Sequence, residues 1–344
     1  MRTLSAEDDR ADAPDLPARV DRALMDFLDS KASVFTDPPA LARVFRGIRD
    51  FVLSGGKRLR PLFCYQGWRG AGGTDDEEGV VVAAASLELF HAFALIHDDI
   101  MDGATMRRGR PSLHRVLGQP LGILSGDLCL TWSQEMLDTC RLPVQRIREA
   151  QSVRHQMHTE LMTGQALDLL EETANGSLSE ALTIVRYKTG KYTVERPLQI
   201  GAVLAGGKPA VLRAYTDFGI PLGEAFQLRD DLLGAFGDPT VTGKSIMDDL
   251  REGKSTVLIA VARREATSEQ ADRIRALYGK PDLDEREAET LREVITDTGA
   301  PAVVEQMIAQ RTERALTALD GAPIADDVRV QLGALAGAAT ARVA

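Results

Sequence analysis

The amino-acid sequence predicts an all-α protein. Apolar residues recur at intervals of three and four over long segments, as they do on the buried face of an amphipathic helix. Sustained two-residue alternation bounded by turn residues, the pattern typical of strands, is scarce. The stretch around 147–164 predicts one helix of about thirty residues or two abutting ones. The other segments with helical periodicity are 39–53, 80–102, 122–139, 180–205, 208–236 and 285–318.

Length and composition predict a short tail followed by one large domain. Residues 1–16 are rich in Asp, Ala and Pro and have too little apolar content to pack, so they predict a disordered acidic tail. Residues 17–344 predict a single all-α domain, because the glycine-rich breaks between helical segments are too short for a domain linker. Hydrophobic residues make up 44% of the 344-residue chain and charged residues 27%, as expected for a soluble protein with a sizeable core.

The charge balance argues against nucleic acid as a partner. The formal net charge is −10, whereas nucleic-acid phosphates attract basic surfaces. An acidic protein that binds an anion must concentrate cations or metal ions locally. The three cysteines show no paired spacing, and the chain shows neither a signal peptide at its start nor an apolar run of membrane-spanning length. These features predict a cytoplasmic protein without a transmembrane segment.

Two acidic motifs predict a site for a hard cation. In the first motif, Asp98 and Asp102 lie four residues apart, so their carboxylates can share one face of a helix. The apolar run at 90–96 leads into this motif and places negative charge at the unfavourable C-terminal end of a helix, unless a cation compensates. The second acidic pair, Asp230-Asp231, follows a similar stretch. Magnesium suits both, because it takes one or two carboxylates and completes its shell with water and phosphate oxygens.

Basic residues beside glycines predict a phosphate-binding surface. In segment 55–61, three cations surround a glycine turn, where backbone N–H groups can closely approach an anion. Each basic motif is weak alone, because a lysine beside a glycine is common in surface turns. Combined with the acidic motifs, they suit a diphosphate, which Arg grips bidentately and Lys meets as a movable charge. The other basic motifs are Arg107-Arg108-Gly109, Lys188-Thr189-Gly190, Gly243-Lys244 and Gly253-Lys254.

Six motifs, taken together and in order, resemble those of the trans-isoprenyl diphosphate synthase family. The motifs lie at 55–61, 95–102, 107–109, 187–190, 226–231 and 237–244. The resemblance implies a single bundle of long helices around a central active-site cavity, and a homodimer. It also implies an enzyme that condenses isopentenyl diphosphate head-to-tail with an allylic diphosphate. Three magnesium ions are expected to assist the ionisation of the allylic diphosphate.

The resemblance also implies roles for the matching residues. The metal positions are matched by Asp98 and Asp102 for two magnesium ions, by Asp230 for a third, and by Asp99 and Asp231 as supporting acids. The positions that hold the isopentenyl diphosphate group are matched by Lys57, Arg60, His91 and Arg108. The positions around the allylic diphosphate are matched by Arg107, Lys188, Gln227, Lys244 and Lys254. Thr189 matches a residue that stabilises the developing carbocation.

The second acidic motif departs from the family pattern. Gly234 stands where the fuller pattern has a third Asp, which implies a leaner set of metal ligands there. The first Asp of the motif is the expected direct ligand and further acids follow it, so we interpret the departure as tolerated. Those acids are Asp238, Asp248 and Asp249.

Residues one and two turns before Asp98 bear on the length of the product. These positions lie beneath the predicted metal site on the same helix and are candidates for the floor of the cavity. Phe93 at the fifth position before the motif and Ala94 at the fourth resemble synthases of geranylgeranyl diphosphate. Phe90 is a further floor candidate, and farnesyl diphosphate is the alternative product. The two aromatics, three residues apart, would equally suit a packed helix interface.

Three other classes of protein stay open at this point. A class I terpene cyclase shares the all-α fold and an acidic pentad but lacks the basic residues at 57–60. A di-iron bundle needs Glu-x-x-His twice, and only Glu88 with His91 fits. His155 and His158 could bind a metal as a pair, but no third ligand is evident. A non-catalytic subunit of a synthase typically loses motif residues that this chain keeps.

Overall fold

The described residues confirm the all-α prediction. The computed structural model describes residues 15–171, 177–237, 250–251 and 253–340. Within these ranges the only strands belong to one hairpin of two-residue strands. The chain forms two compact units, and the prediction of a single domain from residue 17 onward stays a prediction. The first unit comprises residues up to Leu62, Asp76–Met101 and Ser112–Arg141, and the second comprises Phe63–Asp75, Asp102–Pro111 and the residues from Leu142 onward.

The first unit packs around one long apolar helix, α4 (Glu78–Met101). Most α4 side chains are buried, and the helix contacts its neighbours in this unit along most of its length. The predicted segments 39–53, 80–102 and 122–139 correspond to three of the helices of this unit. The other helices are α1 (Leu16–Lys31), α2 (Pro39–Leu53), α5 (Leu113–Leu117) and α6 (Gln119–Asp138), together with the first turn of α3 (Leu59–Gly70).

The predicted acidic tail at 1–16 overlaps the start of α1. Residues 1–14 lie outside the described residues. Asp15 caps α1 through a hydrogen bond that its carboxylate accepts from the N–H of Ala18 at 3.2 Å. Leu16 is the first helical residue, and Pro17 occupies the first turn, where a missing N–H costs nothing. Helical structure therefore begins one residue inside the predicted tail.

Helix α4 is the longest apolar helix of the first unit, although Glu88 and His91 interrupt its apolar run. With 24 residues and few charges, α4 is long and apolar enough to cross a membrane by length and composition. Its most apolar window is, however, 78% buried inside the protein. A core helix of a folded protein meets the same two criteria, so this feature is weak support for a membrane span.

The second unit contains the remaining elements. The hairpin pairs β1 (Met106–Arg107) with β2 (Arg110–Pro111), and the rest of α3 also lies here. The helices of this unit are α7 (Val144–Glu171), α8 (Leu178–Val185), α9 (Arg196–Leu204), α10 (Pro209–Phe236), α11 (Val257–Glu265), α12 (Ser268–Leu277), α13 (Glu285–Asp297), α14 (Ala300–Leu319) and α15 (Asp326–Thr340).

One predicted segment is confirmed as the first of its two alternatives, and two others differ in detail from the structure. The stretch around 147–164 belongs to one continuous helix, α7, of 28 residues. The segment 285–318 is two helices, because Gly299 adopts a positive φ of 77° that ends one and starts the next. The segment 180–205 is helical throughout, but its centre, Arg186–Glu195, is a π-helix with a wider turn. Helices α1, α3, α5, α11, α12 and α15 lie outside the predicted segments.

Close packing of α3 against α9 depends on two glycines. A Cβ atom on Gly67 would lie 2.0 Å from the carbonyl oxygen of Leu198, and one on Gly201 would lie 1.8 Å from that of Cys64. Backbone thus meets backbone in both directions across this contact. Because neither carbonyl is a flexible side-chain end, any side chain at these positions would force the two helices apart.

A buried histidine lies on α7. His158 is 8% exposed, and its Nε2 lies 3.3 Å from the Nε of Arg154, itself 1% exposed. Burial, and secondarily the positive charge of Arg154, lowers the pKa of His158 to about 3. The imidazole is therefore neutral at physiological pH and accepts the Arg154 hydrogen bond. These contacts favour a structural role for His158 over a metal site formed with His155.

We predict that Gly201→Ala destabilises the protein by about 1–3 kcal/mol or more, because the added methyl group meets backbone that cannot retreat. Urea denaturation followed by circular dichroism measures the free energy of unfolding. The matched control is Gly333→Ala in α15, where the nearest neighbour of a new Cβ is Leu316 Cδ2 at 3.9 Å. That substitution should stabilise the helix by about 0.5–1 kcal/mol. Equal effects of the two substitutions would contradict the packing argument.

Candidate active site

The glycine turn between α2 and α3 carries the first basic motif. Gly55 and Gly56 have positive φ angles of 88° and 142°, and Arg58 follows at 47°, in the left-handed region that disfavours a side chain. Lys57 is exposed, and Arg60 is half-buried in the first turn of α3. The turn therefore presents a lysine and open backbone at the surface, as a phosphate-binding loop requires.

The prediction that three cations of this turn bind phosphate is wrong for Arg58, because its side chain points into the protein. Its guanidinium is 4% exposed and lies 2.7 Å from a carboxylate oxygen of Glu88 on α4 and 2.7 Å from one of Asp21 on α1. It also donates a hydrogen bond to the carbonyl of Val52 at 3.3 Å. These bonds offset the cost of the left-handed backbone, about 1–2 kcal/mol for an ordinary residue. Arg58 thus anchors the turn rather than binding an anion.

Helix α4 ends within the first acidic motif, at Met101, so Asp98 and Asp99 lie in its last turn but Asp102 follows it, and the predicted shared helix face of Asp98 and Asp102 is not confirmed. Asp98 is half-buried in the last turn of α4, and Asp99 is 1% exposed. One turn earlier, Phe93 is 7% exposed and Ala94 is half-buried, whereas Phe90 is fully buried. Phe90 and Phe93 both belong to the buried core, and Phe93 and Ala94 are the more accessible candidates for a cavity floor.

The second unit carries the arginine motif on its hairpin. Arg108 and Gly109 form the two-residue turn with φ angles of 53° and 73°, the two positive values of a type I′ turn. Arg107 pairs with Arg110 across the strands. Arg108 is exposed at the tip, and Arg107 is half-buried. The hairpin, which the sequence analysis did not foresee, holds both predicted arginines on a short rigid support.

Asp102, the last acid of the pentad, forms an ion pair with Lys254, a residue predicted to bind the diphosphate. Its Oδ2 lies 2.6 Å from the Nζ of Lys254, and its side chain is only 5% exposed. The carbonyl of Lys254 accepts a hydrogen bond from the hydroxyl of Tyr278 at 2.6 Å, which fixes the backbone of this segment. Asp102 and Lys254 are 152 positions apart in the chain, and the second unit brings them together.

The π-helix presents the next pair of predicted residues. A Cβ on Gly164 of α7 would lie 2.8 Å from Tyr187 Cβ, so α7 and the π-helix touch directly there. One turn further along α7, Asp168 accepts a 2.6 Å hydrogen bond from the Nζ of Lys188. On the other side, a Cβ on Gly223 of α10 would lie 2.4 Å from the Cα of Gly190. Glycines on two helices therefore set the position of the π-helix.

A chain of hydrogen bonds links the π-helix to the second acidic motif. The hydroxyl of Thr189 donates to Gln227 Oε1 at 2.7 Å, and Gln227 Nε2 donates to Asp231 Oδ1 at 2.8 Å. Thr189 is buried, and Gln227 is half-buried. Gln227 therefore orients both the threonine and the supporting acid of the motif.

The remaining predicted residues divide between described and undescribed parts of the chain. Asp230 lies on α10 and is half-buried. Gly234 lies two positions before the end of α10. The residues outside the described part are Lys244 and the three acids Asp238, Asp248 and Asp249.

Sequence reasoning missed three buried acids that hold predicted residues or their elements. Asp168 binds Lys188, and its position four residues after Gly164 was the available signal. Glu88 binds Arg58, so it is not the di-iron ligand that its spacing to half-buried His91 allowed. Glu224 of α10 is 4% exposed and accepts hydrogen bonds from two arginines on other elements, where no local pattern could have indicated it. Those arginines are Arg186 at 2.9 Å and Arg311 at 2.8 Å.

The acidic residues suit magnesium better than a metal held wholly by protein. Among the described residues, no group of three or more His, Cys, Asp or Glu side chains could hold a metal ion. The donors present are carboxylates, the hard oxygen ligands that magnesium prefers. The ammonium group of Lys254 lies beside the Asp102 carboxylate, which shows that this carboxylate accommodates a positive charge. A magnesium ion with a partial set of protein ligands, completed by water and phosphate oxygens, fits this arrangement.

The fold and the site define a class of protein: an all-α enzyme with carboxylates at the ends of buried helices and paired cations nearby. Comparison with known proteins identifies the family. The sequence model of the polyprenyl synthetase family matches residues 43–295. The chain belongs to the polyprenyl synthetase family and is a trans-prenyltransferase.

Several relatives resemble the chain over most of its length. It is 36% identical to geranylfarnesyl diphosphate synthase of Aeropyrum pernix over 89% of this chain and 93% of the relative. It is 33% identical to geranylgeranyl diphosphate synthase of Saccharolobus solfataricus over 70% of this chain and 73% of the relative. Its fold matches the crystal structure of geranylgeranyl pyrophosphate synthase from Corynebacterium glutamicum complexed with isoprenyl diphosphate and magnesium. That match has a TM-score of 0.91 and 41% identity, and covers 95% of this chain and 99% of the other.

We predict that Glu88→Ala destabilises the protein by up to about 3–5 kcal/mol, because it removes the buried partner of the Arg58 charge and leaves only the partly exposed Asp21. Urea denaturation measures this loss. The matched control is Glu78→Ala on the same helix, whose side chain is 73% exposed in a surface ion pair with Arg19. Exposed pairs contribute at most about 1 kcal/mol. A loss as small as that of the control would show that Arg58 is not anchored by Glu88.

Proposed function

We propose that the enzyme condenses isopentenyl diphosphate head-to-tail with allylic diphosphates: dimethylallyl, geranyl and farnesyl diphosphate. The observation that carries the proposal is the 2.6 Å pair between Asp102 of the acidic pentad and Lys254. It joins a predicted metal ligand and a predicted diphosphate ligand in the second unit. The motifs carried by α4, the hairpin and the π-helix supply the other charges that this chemistry requires.

We assign Asp98, Asp102 and Asp230 as the protein ligands of magnesium, with three ions expected by resemblance to the family. Asp99 and Asp231 support them. Asp99 is buried beside Asp98, and Asp231 is oriented by Gln227. When bound, magnesium supplies positive charge that stabilises a departing diphosphate.

The basic residues of the second unit receive the allylic diphosphate. Arginine can grip its oxygens bidentately, and a lysine follows the charge as it grows. Ion pairs with carboxylates place Lys188 and Lys254 before the substrate binds. The proposed set is Arg107, Lys188, Lys254 and Lys244, of which the last lies outside the described residues.

Thr189 stabilises the carbocation that forms when the allylic carbon–oxygen bond breaks. Its hydroxyl hydrogen is committed to Gln227 Oε1, so the oxygen lone pairs are left to face a cation. The alkene of isopentenyl diphosphate then attacks the cation and forms the new carbon–carbon bond. Loss of a proton to the released diphosphate completes a five-carbon extension, and no protein nucleophile takes part.

Isopentenyl diphosphate is held by a separate set of residues. Lys57 is exposed on the glycine turn, whose backbone conformation is fixed by the buried Arg58. Arg60 lies in the following turn of α3. The proposed set is Lys57, Arg60, His91 and Arg108.

Geranylgeranyl diphosphate is the product we propose, with farnesyl diphosphate as the alternative. The support is Phe93, 7% exposed on α4, with the half-buried Ala94 beside it. A tail that extends from a diphosphate near Asp98 toward the start of α4 would meet this ring one turn away. Relatives of this chain are named for products of different lengths, so we attribute the length to side chains at such positions rather than to the architecture.

Loss of metal ligands should abolish the transfer. We predict that Asp98→Ala and Asp102→Ala each lower the rate of labelled isopentenyl diphosphate incorporation at least about a thousandfold, because each removes several kcal/mol of charge stabilisation. The assay contains purified protein, magnesium and each short allylic diphosphate. Glu78→Gln, an acid at the other end of α4, is the control and should keep the wild-type rate. Native rates in both aspartate variants would refute the assignment of the pentad.

The same assay separates the competing classes. A terpene cyclase would release hydrocarbon or alcohol from the allylic diphosphate without incorporating label. A non-catalytic subunit would give no product until a partner chain is added. Incorporation of label by the purified single chain excludes both.

We also propose a cytoplasmic homodimer. Helix α6 exposes large apolar side chains at Leu121, Ile123 and Leu124, with 39%, 43% and 55% of their surface accessible. Clusters of this kind mark interaction surfaces. Light scattering should therefore give twice the mass of the chain, and Leu124→Glu should reduce it to that of one chain. A monomeric wild-type protein would contradict the proposal.

A further inference from the structure

His97 lies directly before the metal-ligand candidate Asp98, yet none of the roles assigned above uses it. Its ring centroid is 4.8 Å from that of Phe93, and the two rings meet edge to face at 69°. Its Nε2 lies 3.1 Å from the carbonyl oxygen of Ile123 on α6 and 3.7 Å from Oδ1 of Asp127. Because a carbonyl can only accept, Nε2 carries the hydrogen. The imidazole is therefore held to α6 on one edge and to the Phe93 ring by another contact.

The backbone of α6 fits closely around this imidazole. A Cβ atom on Gly126 would lie 2.3 Å from Nε2 and 2.4 Å from Cδ2 of His97. No side chain can occupy that position unless the imidazole moves. Gly126 therefore allows α6 to hold His97 where it contacts Phe93.

Phe93 has aromatic neighbours one turn away on α4 in both directions. The ring centroid of Phe90 is 5.4 Å away, and that of His97 is 4.8 Å away. Phe90 is fully buried and cannot yield. The freedom of the Phe93 ring to turn aside from an advancing chain is therefore limited on the side of His97.

We propose that His97 is a specificity-determining residue that sets product length by buttressing Phe93, with Gly126 fixing its position. The ligand it acts on is the apolar tail of the prenyl diphosphate. The inference rests on the proposed function, in which Phe93 forms the floor beneath the growing chain. His97 does not touch the reacting atoms and acts only through the Phe93 ring.

The experiment measures the ratio of longer to shorter products, which is independent of the overall rate. Purified full-length enzyme is given magnesium, labelled isopentenyl diphosphate and farnesyl diphosphate, and the products are separated by chromatography. His97→Ala should raise the ratio about fivefold, in keeping with the strength of an aromatic pair. His97→Gln keeps an N–H donor for the Ile123 carbonyl but lacks the ring, and should raise the ratio likewise.

Gly126→Ala tests the second half of the inference through a double-mutant cycle. The added methyl group displaces the imidazole, so the ratio should change in the wild-type background. It should not change further in the His97→Ala background, where no ring remains to be displaced. The matched control is Gly122→Ala, one turn earlier on α6, whose new Cβ meets His114 and Ile100 instead of His97. This control should leave the ratio as in the wild type.

Phe93→Ala separates failure of the inference from failure of the proposed function. A wild-type enzyme that incorporates no label overturns both. Incorporation with an unchanged ratio in Phe93→Ala overturns the floor and, with it, the role of His97. Longer products from Phe93→Ala with unchanged ratios in both His97 variants overturn the inference alone. Equal effects of Gly126→Ala with and without His97 would likewise overturn the role of Gly126.

Discussion

The cost of burying charge is the constraint on which this structure depends. An ionised side chain without a partner in a protein interior costs several kcal/mol, yet diphosphate chemistry needs carboxylates and cations at the ends of buried helices. Three cations are matched here by acids of their own unit: Arg58 by Glu88, Lys188 by Asp168 and Lys254 by Asp102. Each pair removes the cost of an isolated charge and fixes two flexible side chains in one geometry. The two lysines are thereby in position before a ligand arrives, whereas Arg58 holds its turn in place.

Pairs of this kind need backbones that approach closely, and glycines make that possible. Gly164 lets the π-helix lie against α7, so that Lys188 reaches Asp168. Gly223 does the same on α10, where the hydrogen bond from Thr189 to Gln227 forms. The wider turn of the π-helix adds a residue within a helical frame, a feature that recurs at functional sites. The ion pair and the hydrogen bond therefore depend on close helix packing at these glycines.

Features that local sequence patterns encode were predicted from the sequence. Side-chain orientations that depend on a residue far away in the chain were not. Apolar periodicity predicted most of the long helices, and Asp98 and Asp99 were placed correctly in the last turn of α4, because both signals are local, whereas Asp102 lies just beyond the helix. Arg58 looked like its neighbours Lys57 and Arg60, and only Glu88 and Asp21 reveal that it points inward. Asp168 carried no motif of its own, since its role depends on Lys188 of another element. The roles of the site residues in binding stay predictions that rest on resemblance and on these contacts.

The ion pair between Asp102 and Lys254 suggests how one site can contain both carboxylates that bind metal and lysines that bind diphosphate, if the proposed function is correct. Asp102 would hold magnesium in place of the Lys254 ammonium, and Lys254 would then pair with an anion. Diphosphate then replaces the carboxylate as the partner of the lysine. Each charged group exchanges one partner for another of the same sign, so neither is left desolvated and alone at any stage. Metal and diphosphate should therefore favour each other's binding, because each releases the group that the other needs.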